Sequence, residues 1–425
     1  MNRKVILVIA ILVMGVMAGN WIYGNILAKK IEERLEERVK LLSDDLQLQI
    51  DKVKVNPLLS KLQFKGLSIT SLDGNELAFA KELMLDMPYK EAMRLLKSKE
   101  FEELKSLKLK CKDLSVYIES AEDKLLAKEL IIDFDGHLTK EDIEQLDTAF
   151  PDIDQQLRIN ATELSLAQTP WMNALGFTPE QIKQFNKVDE LSMDVSFKSN
   201  KQKFEIKDFH IYSPLLSVKS NGNLSYSGEG LDNMVTLRTQ SSFDIQLNKT
   251  GITWGDAESS GKYTLGKLHM KADGVVNYVD DKPVIESQTT AFLLEDLLLE
   301  YSGKKKAQLE AKTALLGLKM DKVKLDRLAI NSSLNDQKLI IDNSEIQSSL
   351  LDATLNARVD INAIAPAISQ IKHGKLVVSN LQPGLQNALS TFELMTGQSL
   401  PRDGESIVLD MSGPVTRPNI KGFRY

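Results

Sequence analysis

The sequence predicts a mainly β protein: an elongated, twisted antiparallel sheet forming a curved groove, with an N-terminal membrane helix and a few short accessory helices. Three observations predict it. From residue 47 onward the apolar period is 2, the spacing of a strand with one dry and one wet face. Short Asn-, Asp-, Gly- and Ser-containing turns such as "SLDGN", "SGEGLDN", "VDDK" and "SSLND" separate the alternating runs, as in an antiparallel meander. And the two-strand stretch "KFEIKDFHIYSPLLSVKSNGNLSYS" (203–227) returns 135 positions later, without gaps, as "KLIIDNSEIQSSLLDATLNARVDIN" (338–362). Lys203, Ile206, Ile211, Ser213, Leu215 and Leu216 meet Lys338, Ile341, Ile346, Ser348, Leu350 and Leu351. Repetition of this kind is how a sheet grows by extension, each strand touching only its neighbours.

The N-terminal element precedes the sheet. After Arg3 and Lys4, "VILVIAILVMGVMAG" carries no polar side chain, and Asn20 alone interrupts before Trp21, Ile22 and Tyr23. About 19 largely apolar residues suffice for a helix to cross the hydrocarbon, and Trp21 and Tyr23 stand where interfacial anchors belong. Residues 1–28 therefore read as a single transmembrane anchor. A cleaved export signal ending near Val16-Met17-Ala18 is the competing reading. Both place the bulk of the chain outside the cytoplasm. Residues 29–46 read as an amphipathic helix: Leu27, Ile31, Leu35 and Val39 recur every four residues and Leu42 follows, a stripe suited to lying on the first strands.

In the body, 47–425, "MVTLRTQSSFDIQLNKT" is the clearest strand: Val235, Leu237, Phe243, Ile245 and Leu247 share one parity. Together with Leu216, Val218, Leu224 and Tyr226 of the repeat, they are expected to line one concave apolar face, either an open groove or a core covered by helices. Parity switches at Gly66 and between Cys111 and Leu114 predict bulges. Helices are expected in "PYKEAMRLLKS", in an insertion over about 139–186 opened by Thr139, and in "GLQNALSTFELMTG" (384–397). The trio Lys304 to Lys306 reads as a solvated turn.

Composition excludes several functions. A formal charge of -6 and a sequence pI near 5.5 argue against a nucleic-acid partner. The single cysteine, Cys111, rules out an internal disulfide and reads as a small buried hydrophobe beside Leu107 and Leu109. His137, His210, His269 and His373 are scattered without metal-ligand spacing. No P-loop, nucleophile elbow or zinc signature is present, and Asp133 and Asp135 of "DFDG" read as solvent-side carboxylates. No catalytic residue, metal or cofactor is expected.

Four stretches carry a resemblance: the apolar start running into the amphipathic helix; "LQIDKVKVNPLLSKLQFKGLSITSLDG" (48–74); "AKELMLDMPYKEAMRLLKSKEFEELKSLKLKCKDLSVYI"; and the C-terminal "ESIVLDMSGPVTRPNIKGF". This order resembles the AsmA-like superfamily of Gram-negative envelope proteins, which includes relatives of the type II secretion protein N. The resemblance implies a chain anchored in the inner membrane with its bulk in the periplasm. It further implies a groove-like sheet that holds phospholipid acyl chains or supports outer-membrane biogenesis, and no catalytic residues. The alternative reading is an accessory or scaffold subunit of a type II secretion system, with the sheet docking envelope or secretion-machine proteins.

Overall fold

The computed structural model describes residues 23–33, 35, 46–87, 103–104, 106–117, 124–145, 154–166, 186–198, 202–228, 235–248, 250–255, 259–279, 282–314, 322–362 and 365–422. The chain divides into two compact units, one comprising 1–169, 186–210 and 228–234, the other 170–185, 211–227 and 235–425. Both are built of antiparallel strands with few helices. Expectations for Trp21, for the membrane-spanning stretch before residue 23, for the helix in "PYKEAMRLLKS" and for the segment 169–185 lie outside the described residues. Among the described residues no helix is long and apolar enough to cross a membrane.

The first unit is a meander. It runs β1 (Leu46–Asn56), β2 (Lys61–Ser71), β3 (Glu76–Asp86), β5 (Leu107–Tyr117), β6 (Lys124–Asp135), β8 (Asp154–Leu166) and β9 (Lys187–Lys198), each antiparallel to the next, and β9 also pairs with β10 (Lys203–Tyr212). Two short strands, β4 (Glu103–Leu104) and β7 (Leu138–Thr139), pair separately. Cross-strand register lines apolar side chains into rows. Val55, Leu62, Leu85, Leu109, Ile132, Ile159 and Met193 form one; Val53, Phe64, Leu83, Cys111, Leu130, Ala161 and Leu191 form the next.

Helix α1 (23–33) lies on this face. Leu27, Ala28 and Ile31 are buried, with Ile31 fully enclosed, and Leu35 packs against the same cluster of Val53, Leu62, Phe64 and Met87. Burying one such aliphatic side chain contributes on the order of 2 kcal/mol. Gly24 lets the helix come close: a Cβ there would sit 2.4 Å from the Val55 carbonyl oxygen. Sheet packing thus already involves Gly24 and Leu27, inside the stretch read as anchor.

The parity switches are real but are not bulges. A bulge inserts a residue in one strand and shifts its register. Here the register is the same on both sides of the switch: Ile50 pairs with Leu67 and Lys52 with Lys65; Ala80 pairs with Leu114 and Glu82 with Lys112. What changes is the backbone. Gly66, Asp113 and Glu163, on the alternate strands β2, β5 and β8, have φ of 59°, 48° and 49°, in the left-handed region. In sheet register they fall in one transverse row with Asp51, Lys81, Lys128 and Asp189, the position at which each pairing skips a rung. The row is a crease at which every strand turns over together. Ile50 and Leu67 on one side of it and Val53 and Phe64 on the other consequently join one cluster with Ala28 and Ile31 of the helix. Ion pairs bridge the crease residues: Lys81 to Asp113 at 3.2 Å, and Lys128 to Glu163.

Within the stretch 139–186, expected as a helical insertion, the described residues are partly helix and partly strand. Thr139 does cap α2 (Lys140–Gln145), donating its N–H to Asp142 while its hydroxyl accepts from the Asp142 N–H. Residues 154–166 are then strand β8, placed between β6 and β9. Its Leu157, Ile159 and Ala161 alternate in the strand period, which the surrounding helical signals obscured.

The second unit continues with β11 (Leu216–Ser227), β12 (Val235–Leu247), β15 (Lys267–Val279), β16 (Lys282–Ser302), β17 (Lys322–Asn335), β18 (Lys338–Ser348), β19 (Asp352–Asp360), β20 (Gln370–Ser379) and β22 (Ser406–Pro414), all antiparallel in that spatial order. The hairpin β13 (Thr250–Gly255) and β14 (Ser259–Leu265) pairs with the far end of β16. Asp336 and Gln337, both left-handed, make the two-residue turn between β17 and β18. Helix α3 (Gly303–Ala314) follows β16, with Lys306 and Glu310 paired at 3.6 Å. Lys304 to Lys306 therefore belong to a helix and not to a turn. Helix α4 (Pro383–Thr396) forms where "GLQNALSTFELMTG" predicts it and ends at left-handed Gly397. Two short strands, β21 (Arg402–Asp403) and β23 (Asn419–Ile420), lie along the outer edge of β22, aided by bonds from the Val408 and Lys421 amides to the Pro401 and Asp410 carbonyls. That edge is covered against further strand addition.

The repeat holds at the level of hydrogen bonds. Ser213 donates its N–H to the Leu216 carbonyl at 2.7 Å and accepts the Leu216 N–H on its hydroxyl at 2.9 Å. Ser348 does the same to Leu351, at 3.1 Å for both. The next residue up repeats too: the Leu215 carbonyl accepts from Asn248, and the Leu350 carbonyl from Gln382.

Candidate apolar binding face

Nine strands of the second unit share one apolar face. Register places Leu216, Leu247, Leu268, Leu294, Leu328, Ile346, Ala353, Val378 and Ile407 in a single row across all of them. A second row holds Val218, Ile245, Met270, Phe292 and Ile330 over five strands, then Leu355, Leu376 and Leu409 beyond β18. A third row contains Ser220, Phe243, Ala272, Thr290, Ser332, Ile341, Ala357, Gly374 and Met411. No ionisable side chain occurs in these rows. The face is partly exposed: Phe243, Met270 and Ile330 are 45 %, 38 % and 39 % exposed. Small residues next to Phe243 (Ser220, Gly222, Ser241, Ala272 and Gly274) keep its surroundings shallow.

The opposite face is polar and ionic. Arg327 bridges Glu295, at 2.8 Å, and Glu345; Asp244 contacts His269 at 3.0 Å; Lys372 meets Asp360 at 3.1 Å. Strand alternation alone separates these charges from the apolar rows.

The nine residues that sequence singled out divide. Leu216, Val218, Ile245 and Leu247 stand in the first two rows and Phe243 in the third, while Leu224 lies further along the same face of β11. Tyr226, also on that face, is almost fully buried, and burial raises its phenol pKa above the ordinary value. Val235 and Leu237 do not continue the row. Ser225 pairs with Arg238 but Tyr226 pairs with Thr236, so Leu237 is the extra residue of a bulge. Beyond the bulge Val235 pairs with Ser227, on the polar side. Sequence parity could not show this, because a bulge looks like uninterrupted alternation from one strand alone. Of the two interfacial anchors, Tyr23 opens α1 and is half exposed.

The members that sequence reasoning missed lie on β15 to β22. Leu268 and Met270 do alternate in "KLHMKAD". However, β12 pairs with β15 across the intervening β13–β14 hairpin, a neighbour relation that no local pattern encodes. In "FLLEDLLLEY" the apolar run on β16 is nearly continuous and hides its parity.

Other candidate chemistry is accounted for structurally. Cys111 is 2 % exposed, and burial pushes its thiol up to about 11, so it packs as a hydrophobe. Asp133 pairs with Lys108 at 3.5 Å, and Asp135 accepts from the Ser106 hydroxyl. Among the described residues no three His, Cys, Asp or Glu side chains are grouped to hold a metal ion. No protein-family model, curated protein or solved structure matches the chain.

Proposed function

We propose that this is an inner-membrane-anchored periplasmic protein of the AsmA-like kind, which carries phospholipid acyl chains on the apolar face of its second unit and so serves envelope biogenesis. One observation carries the reading: a partly exposed sheet face with three rows, up to nine strands wide, that hold no ionisable side chain. Such a face can hold a chain by burial alone, at about 25 cal/mol per Å² of apolar surface removed from water, with no chemistry required. Contiguous exposed apolar patches mark sites of interaction. The apolar stretch that precedes the sheet-packed Gly24 and Leu27 supplies the anchor in this reading, with Arg3 and Lys4 cytoplasmic, and the sheet forms the groove.

Mass spectrometry of lipids that co-purify with the full chain in mild detergent tests it. Phospholipid at a fixed ratio to protein is expected. Its absence, with secretion-machine subunits retained instead, would replace the lipid reading with that of a scaffold.

A further inference from the structure

The corner between β1 and β2 is apolar and bare. Leu58 and Leu59, in the 3-10 turn Pro57–Leu59, are 63 % and 60 % exposed. The turn has its own bonds. The Leu59 N–H donates to the Asn56 side-chain oxygen at 3.3 Å and the Ser60 N–H to the Pro57 carbonyl at 3.4 Å, with Ser60 left-handed. A fixed turn therefore holds both leucines bare.

The start of α1 lies against this corner. A Cβ at Gly24 would sit 3.7 Å from the Pro57 ring. Tyr23 and Ile26, on the first turn of the helix, are both more than half exposed. Tyr23, Ile26, Leu58 and Leu59 thus gather at one end of the β1–β2 hairpin. The chain reaches that end from the apolar run "VILVIAILVMGVMAGNWI" (5–22).

Charge behind the corner is positive. The hairpin, 46–71, has four lysines (Lys52, Lys54, Lys61 and Lys65) and one carboxylate, Asp51. Lys52 and Lys65 are directly opposed across the two strands, where like charges repel. Lys61 meets Asp86 at 4.0 Å, but Lys52 and Lys54 have no ion pair among the described residues. At about 3.3 Å per residue Lys54 stands roughly 7 Å behind Asn56, which is headgroup depth behind an acyl boundary. Exposed Lys29 and Lys30 follow on the next turn of α1, ahead of Glu32 and Glu33.

We infer that the β1–β2 corner is a second membrane contact, inserting Leu58 and Leu59 into an anionic lipid surface while Lys52 and Lys54 meet its phosphates. The inference rests on the anchor reading and is independent of whether the sheet face carries lipid. A bilayer that holds the run before Tyr23 lies within about one helical turn, 5.4 Å, of the corner. The path of the chain, and not the bareness of the leucines, selects lipid as the occupant. The lysines select its charge, since each basic residue near an anionic surface strengthens attachment about fivefold.

The test uses the full chain reconstituted into phosphatidylcholine vesicles with and without phosphatidylglycerol. An environment-sensitive fluorophore is placed at Leu58→Cys, with the buried Cys111 left as it is. Flotation with the vesicles in high salt establishes the anchor first. A blue shift and quenching by spin-labelled lipid are then expected at residue 58. Neither is expected at Leu72→Cys, a leucine of similar exposure, 58 %, just past the opposite end of β2. Lys52→Gln with Lys54→Gln should leave the melting temperature unchanged and lower the quenched-to-unquenched ratio at residue 58 at least about tenfold in vesicles with phosphatidylglycerol. A chain that does not float removes the anchor reading and this inference with it. A chain that floats while residue 58 stays in water overturns this inference alone. So does a blue shift without quenching by lipid, which would assign the corner to a protein contact. Quenching that ignores both phosphatidylglycerol and the lysine changes would overturn the anionic assignment.

Discussion

Gly66 and Asp113 stand in the same transverse row of the first unit's sheet, two strands apart, and both adopt a left-handed backbone. Glu163 joins them two strands further on. A strand that turned over alone would point half its apolar side chains into water. When every strand turns over in register, one apolar face survives on both sides of the row. Left-handed Asp and Glu each cost about 1 kcal/mol or more relative to glycine, so the arrangement persists because the rows on either side require it.

The first prediction follows from Gly66. A Cβ there would lie 1.9 Å from an Asp51 carboxylate oxygen, in a backbone conformation that disfavours any side chain. Gly66→Ala should destabilise the protein by about 1–3 kcal/mol in denaturant unfolding. Adding Asp51→Ala should recover the part due to the contact and leave the backbone part. Full recovery would show that φ at residue 66 is not strained in the variant.

The repeated corners give the second. Ser213→Ala and Ser348→Ala each remove a hydroxyl that bonds the backbone of its own turn, at Leu216 and Leu351 respectively. Each should cost about 1–2 kcal/mol, and the double variant should show the sum, since the corners share no partner. Thermal or urea unfolding of the three variants measures this.

A third concerns Ile245, which shares a row with Val218 and Met270 on the apolar face. Ile245→Asp should abolish co-purifying lipid. Because neighbouring Phe243 and Met270 are more than a third exposed, the carboxylate retains water and the melting temperature should fall only modestly. Val235→Asp, beyond the bulge on the polar side, should change neither. Loss of the folded state at residue 245, with no lipid on the unaltered protein, would show a closed core.

The fourth is a pH dependence. Lys112, at 2.8 Å, and then Gln63 hydrogen-bond Glu82 and lower its pKa below the usual carboxylate value. A folded-state pKa below the unfolded one means stability that is present above about pH 4 and lost as pH falls through the folded value. Acid titration of unfolding should therefore be less steep in Glu82→Gln than in the unaltered chain below about pH 4. Equal slopes would remove Glu82 from the acid response.

What the sequence determined by itself was local. Period-2 alternation specified strands such as β11, β12, β19 and β22, because side-chain direction in a strand depends only on parity. The repeat specified two identical corners, because a serine hydroxyl reaches only its own turn. The stripe of Leu27 and Ile31 specified a helix with one dry side. The tertiary structure decided what depends on neighbours. The pairing of β12 with β15 across a hairpin, the bulge that sends Val235 to the polar side, and the crease shared by Gly66, Asp113 and Glu163 are all relations of register between strands. Register is a property of a pair, fixed by burial of a common face, so no single strand can state it.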